Sequence, residues 1–245
     1  MGALGDSTFV IIGAGGLGSP LALCLALAGA GRVVLVDDDK VDLSNLPRQI
    51  LYGTRDVGRL KVAVAYESLR RRGIEAARVE AVKARFDETT ARGLLHDASV
   101  VCDGSDDPAT KFFVNDAARA LGVPAVIAGV IRDRGNVFPV APAAAGGACY
   151  RCLFESPPED GPTCADAGVL GPRCGQVAAW QARVAIALAT GEDPETLTRR
   201  VWIFDVASDL AEAGCGDGAP RGIEVRRRTD CPTCAAWAPD EEDAA

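Results

Sequence analysis

Two sets of residues have the types and spacings that chemistry needs. The first is Gly13-Ala14-Gly15-Gly16-Leu17-Gly18-Ser19, a GxGxxG turn, followed by Asp37 about 20 residues on. Glycines let a backbone come close to a phosphate, and the free N–H groups at a helix start bind the anion. A carboxylate at Asp37 can hold ribose hydroxyls. The second set is two CxxC pairs, Cys149 with Cys152 and Cys231 with Cys234. Each CxxC delivers two thiolates from one turn, and four thiolates complete a tetrahedral zinc site with no open coordination position. Such a site is structural, and here it would tie the end of the chain to its middle. Two unrelated pairs, or a redox CxxC, are the other readings.

The elements that must position these residues are legible around them. Phe9-Val10-Ile11-Ile12 is β-branched and aromatic and predicts a buried strand. Pro20 stands in the first turn of an Ala/Leu-rich helix reaching Ala30, and Val33 to Val36 predicts a second buried strand that ends at Asp37. This is the strand–turn–helix–strand context that the glycine fingerprint requires. By itself it suits NAD, FAD, S-adenosylmethionine and ATP alike.

Asp38 to Gly58 reads as a long irregular segment broken by Pro47, Gly53 and Gly58, and a loop of that length in a compact domain is usually functional. Arg59 to Arg72 has helical character. Lys61 stands in its first turn, where a cation is normally unfavourable, so a ligand holds it or water does. Strands are predicted at 78–84, 98–102 and 124–129, with helices at 89–95 and 111–121 between them. The strand ending at Cys102 runs into Asp103-Gly104-Ser105-Asp106-Asp107-Pro108, on the side where parallel sheets bind ligands. Beyond Gly129 the pattern changes: a strand at 135–140, a small-residue turn at 142–147, a Pro/Asp/Gly-rich mobile loop at 155–168 holding Cys164, a long helix at 171–189, and late strands at 201–206 and 222–227. The fold class expected is α/β: a doubly wound, mainly parallel Rossmann-like sheet, extended by late, partly antiparallel strands and a zinc site.

The chain has 245 residues, 48% of them hydrophobic, which is ample for a core, and a net charge of −8. That charge argues against a general nucleic-acid or anionic-membrane binder, since phosphate contacts need a basic surface. No apolar run reaches membrane-spanning length and no leader opens the chain, so a cytoplasmic protein is expected. Nine cysteines are many for that compartment, and an odd number points to metal ligands and reactive thiols rather than a disulfide framework. Cys24 and Cys102 lie in apolar elements and read as core; Cys174 and Cys215 are given no role, and His96 reads as a surface histidine.

The residues after Asp37 narrow the choice among nucleotides. Asp39, Val41, Ser44-Asn45-Leu46 and Arg48-Gln49 form the pattern DxDxVxxSNLxRQ, which a dehydrogenase does not need. With the glycine turn, this pattern resembles the ThiF/MoeB/HesA family, relatives of ubiquitin-activating enzymes, over nearly the whole chain. The resemblance implies an ATP-dependent adenylyltransferase that activates the C-terminal glycine of a small ubiquitin-like sulfur-carrier protein, releasing pyrophosphate. It further implies that Gly13, Gly15, Gly16 and Gly18 cradle the nucleotide and that Asp37 binds the ribose. Asn45, Arg48 and Lys61 would contact phosphates, Asp39 would add a contact, and Asp106 would hold magnesium. Zinc falls on Cys149, Cys152, Cys231 and Cys234. Cys164 lies on a loop that in such proteins crosses the carrier's tail, where it is either a functional thiol or a bystander.

On this reading residues 1–235 form one adenylyltransferase domain, with a nucleotide-binding half over about 1–130 and a carrier-binding and zinc half over about 131–235, before an acidic, disordered tail at 236–245. The partners implied are a carrier ending in Gly-Gly, a separate sulfur donor and a second copy of the chain in a homodimer. Family members usually carry a helical arm ahead of the first strand, with an arginine that reaches the partner subunit's phosphates; no residue here matches it. The other readings are a catalytically weakened nucleotide-binding scaffold of the same family, an NAD-dependent oxidoreductase, and relatives that dehydrate a tRNA base.

Overall fold

Every position from Phe9 to Ile12 and from Val33 to Val36 is apolar because both faces of these strands are covered. The computed structural model describes residues 3–140, 147–157, 168–191, 194–205 and 220–235. Strands β1 (Thr8–Ile12), β2 (Arg32–Val36), β3 (Val79–Val82), β4 (Val100–Asp103) and β5 (Ala125–Ile131) pair in parallel, in the order β3-β2-β1-β4-β5. Strands β6 (Arg134–Val140), β7 (Arg200–Phe204) and β8 (Arg221–Glu224) continue the sheet antiparallel to eight strands. The expected fold class is the one observed.

Alternation along β1 divides the core in two. Phe9 and Ile11 face a layer with Leu21, Leu25, Val64 and Leu69, which come from α1 (Gly18–Ala28) and α2 (Lys61–Arg71), and with Val177 and Ala182 of α6 (Gly171–Thr190). Val10 and Ile12 face a layer with Leu95 of α3 (Ala91–Leu95), Phe112 and Ala118 of α4 (Pro108–Leu121), and Tyr150 of α5 (Tyr150–Leu153). The four CxxC cysteines belong to this second layer, two of them around α5 and two around α8 (Pro232–Ala235). A short helix, α7 (Pro194–Thr198), precedes β7.

Three details differ from expectation. The helix expected from Lys111 starts at Pro108, because Asp107 caps it by accepting from Ala109 N and Thr110 N, with proline in the first turn. The segment expected to be irregular holds two 3-10 turns, Leu43–Asn45 and Thr54–Asp56. Strands β5 and β6 form a tight hairpin whose turn carries Arg132 at a φ of 54°. The small-residue turn, the centre of the 155–168 loop and the acidic tail lie outside the described residues. Among those residues no helix is long and apolar enough to cross a membrane.

Candidate functional site

The glycine turn packs backbone against backbone. Gly13 has a φ of 88°, in the left-handed region that glycine adopts freely, and its N–H donates to Val36 O at 2.8 Å. A Cβ on Gly18 would lie 1.8 Å from Gly13 O, and a Cβ on Gly13 would meet Ser105 N at 3.1 Å. The turn therefore sits directly on the loop after β4. The hydroxyls of Ser19 and Tyr52 both donate to Ala14 O, at 3.0 and 2.6 Å. Burial pushes the Tyr52 phenol up, so it remains a donor.

Asp37 leaves β2 at the open end of the sheet. Its Oδ2 accepts from Ala14 N and its Oδ1 from Asp39 N, both at 2.7 Å. Burial pushes its carboxyl up, opposed by the Lys61 charge and these two N–H groups. Asp39 in turn accepts from Lys61 Nζ at 2.7 Å, and its carbonyl accepts from Lys61 N at 3.0 Å. Lys61 is only 6% exposed, so it is neither solvated nor waiting unpartnered for a ligand: a carboxylate 22 residues upstream holds it. The antiparallel bridge Lys40–Leu60 brings the two together. Glycine turn, Asp37, Asp39 and Lys61 thus form one hydrogen-bonded chain.

Arg48 lies against the turn, its Cγ and Cδ 3.4 and 3.5 Å from where a Cβ on Gly16 would be. Cys174 Sγ lies 3.3 Å from the same point, a placement no sequence pattern announced. The Arg48 Nη1 donates to Ser44 O at 3.1 Å, and Asn45 Nδ2 donates to Ser44 Oγ at 3.2 Å, so these two side chains hold each other's loop rather than the turn itself. Asp106 is exposed, one residue past Ser105, and its carboxylate has no hydrogen bond or ion pair among the described residues. Cys164 lies outside them.

Sequence reasoning missed a charge pair beside the site. Lys111 Nζ donates to Asp103 Oδ2 at 2.7 Å, Ser105 O at 2.7 Å and Ala128 O at 2.6 Å. Asp103 is fully buried; its Oδ1 accepts from Ser105 Oγ at 2.6 Å, and its carbonyl accepts from Gln181 Nε2 at 2.8 Å. The pair pins the end of β4, the middle of β5 and the loop on which the glycine turn rests. Lys111→Met would strand a buried carboxylate. The expected loss is about 3–5 kcal/mol of stability, read by denaturant unfolding, whereas Lys111→Arg should retain most of it.

On the other face of the sheet the four cysteines converge. Their sulfurs lie within 4.8 Å of one another, with Cys149–Cys152 at 3.9 Å and both Cys149–Cys231 and Cys152–Cys234 at 3.6 Å. A tetrahedron with metal–sulfur bonds near 2.3 Å has edges of about 3.8 Å, so this donor set could hold zinc. Hydrogen bonding from Cys149 brings the Cys234 thiol down to about 5, while the same bond and burial push Cys149 up. Arg228 N donates to Cys152 Sγ at 3.4 Å. Asp116 fixes the cluster's flank by pairing bidentately with Arg151 and accepting from Thr233 Oγ1.

Comparisons with known proteins bear on the family and the fold. The profile described as the ThiF family matches residues 1–215. The chain is 39% identical over 246 residues to "Adenylyltransferase and sulfurtransferase uba4" of Emericella nidulans, covering 96% of this chain and 49% of that protein. It is 37% identical over 235 residues to "SAMP-activating enzyme E1" of Haloferax volcanii, covering 95% and 82%. Identity is also 37%, over 233 residues, to "Sulfur carrier protein adenylyltransferase" of Thermus thermophilus, covering 93% and 82%. The chain spans about half the length of the uba4 relatives. Among solved structures, E. coli MccB with ATP superposes with a TM-score of 0.75 at 22% identity, over 95% of this chain and 68% of that one, a likeness of fold.

Proposed function

The chain belongs to the ThiF family, and on that premise we propose that it is an ATP-dependent adenylyltransferase acting on the C-terminal glycine of a ubiquitin-like sulfur carrier. One observation carries the reading. A buried lysine is held beside the glycine turn by an aspartate whose side chain is 69% exposed. That arrangement keeps a cation oriented at a phosphate site while leaving its counter-ion easy to release to water.

In the reaction, a carboxylate oxygen of the carrier's terminal glycine attacks the α-phosphorus. The bond from that phosphorus to the bridging oxygen breaks, and pyrophosphate leaves with the electron pair. Two anions must meet, and negative charge grows on the leaving group, so basic groups preorganised at the phosphates lower the barrier. Lys61 and Arg48 fill that role, with Asn45 as a neutral donor. Asp37 takes the ribose hydroxyls through the carboxylate that already anchors Ala14 N. Asp106, exposed beside the turn and with no hydrogen bond or ion pair among the described residues, suits a magnesium ligand; the ion would supply charge neutralisation at the phosphate oxygens. Sulfide-level sulfur from a separate donor would then attack the acyl carbon and displace AMP, giving a thiocarboxylate. Cys164 is left as either a functional thiol or a bystander in that later step. The four cysteines would hold zinc as a structural tie.

Wild-type protein should exchange labelled pyrophosphate into ATP only when a ubiquitin-like carrier ending in Gly-Gly is present. Exchange without carrier, or ATP binding with no exchange for any such carrier, would remove the reading and favour a nucleotide-binding scaffold.

A further inference from the structure

Gln49 is the residue after Arg48 and is 2% exposed. Its Oε1 is buried with no hydrogen-bond partner, and its side chain makes no hydrogen bond among the described residues. The backbone is not loose there, since its carbonyl accepts from Tyr52 N at 3.2 Å. Nε2 lies 3.6 Å from the position a Cβ on Gly15 would occupy. The carboxamide therefore faces the glycine turn, across a space that Gly15 leaves open.

Leaving a buried amide unpaired costs about 1–3 kcal/mol, and an apolar side chain of the same volume avoids that cost. Gln49 is therefore explained by a ligand that supplies the missing partners. A carboxamide both donates and accepts, so its full complement is a group that does the same. Phosphate oxygens at the turn accept but do not donate. The main chain of a peptide offers an N–H and a C=O side by side, which a carboxamide can pair with twice.

We propose that Gln49 is a substrate-reading residue, whose carboxamide pairs with the backbone amide of the carrier's C-terminal segment and so aims the terminal carboxylate at the nucleotide. This rests on the adenylyltransferase reading and deepens it. It also entails a trade between stability and function, in which the ligand-free protein carries an unpaired polar group that only the bound peptide end satisfies.

Gln49→Met keeps the volume and removes both polar atoms. The ligand-free variant should unfold at a higher temperature than wild type and bind ATP in calorimetry with unchanged affinity. The carrier concentration giving half-maximal pyrophosphate exchange should rise by about tenfold or more, the worth of one or two hydrogen bonds. A lower unfolding temperature would mean that the amide is satisfied within the folded protein, and would overturn the proposal. Weakened ATP binding with unchanged carrier dependence would place the amide on the nucleotide and overturn it equally. If wild type exchanges pyrophosphate with carrier and Gln49→Met matches it, only this proposal falls; if wild type shows no carrier-dependent exchange, the adenylyltransferase reading falls and takes this proposal with it.

Discussion

Lys61→Ala is expected to lower carrier-dependent pyrophosphate exchange by about 10²- to 10³-fold while leaving the unfolding midpoint close to wild type. The first figure is the typical cost of losing one preorganised group that faces transition-state charge. The second rests on the asymmetry of the ion pair: the Lys61 side chain is 8% exposed and that of Asp39 is 69% exposed. Removing the lysine leaves Asp39, which water already solvates, and Asp37, which loses the Lys61 charge but keeps the N–H groups of Ala14 and Asp39, unlike the fully buried Asp103 stranded by Lys111→Met. Exchange kinetics and thermal denaturation on the same preparation separate the two effects. A variant that unfolds early would make Lys61 a structural residue, and one that exchanges at the wild-type rate would remove it from the phosphate site. Asp106→Ala should abolish exchange, with less to lose in stability because its carboxylate is exposed and makes no hydrogen bond or ion pair among the described residues.

The largest stability effect is expected from the cysteine cluster. Structural zinc in small thiolate sites contributes about 10–16 kcal/mol of apparent binding energy, comparable to the whole stability of a typical domain at about 5–15 kcal/mol. A metal there would close a loop from Cys149 to Cys231, 82 residues apart, and so would tie α8 to α5 across the sequence. Chelation of zinc-loaded protein, or Cys231→Ser, should erase hydrogen-exchange protection over 147–157 and 220–235 and lower the melting temperature steeply. Protection in β1, β2 and β4 should persist longer, since Leu95, Phe112 and Ala118 of α3 and α4 cover the face they share with the cysteines, and α1, α2 and α6 cover the other. Metal analysis showing no zinc in folded, protected protein would contradict the assignment.

The parts legible in the sequence are those where one residue type is the only physical solution. A Cβ at Gly18 has no space, and the left-handed φ of Gly13 favours glycine, so the turn announces itself. The contiguous apolar runs of β1 and β2 announce strands covered on both sides. The CxxC spacing announces thiolates in pairs, though only the fold shows that the two pairs meet. Other features depend on partners far away in sequence. Lys61 looks solvated until the Lys40–Leu60 bridge sets Asp39 against it. The Asp103–Lys111 pair is hidden because it depends on α4 starting at Pro108, under the cap of Asp107, one turn earlier than the apolar pattern suggests. The β5–β6 hairpin is equally quiet: Arg132 occupies a left-handed φ where tight hairpins favour glycine or asparagine. Gln49 stands inside a recognisable motif, yet its unpaired amide is visible only once burial and partners are known.

The reaction itself is tested most directly by tracking the α-phosphate. The purified chain is incubated with ATP labelled there, magnesium and a ubiquitin-like carrier ending in Gly-Gly, and the carrier is measured by intact mass and by label. The carrier should gain one AMP, in a bond cleaved by hydroxylamine, and a carrier lacking its last glycine should gain none. A folded, ATP-binding chain that transfers no AMP to the intact carrier would contradict the account.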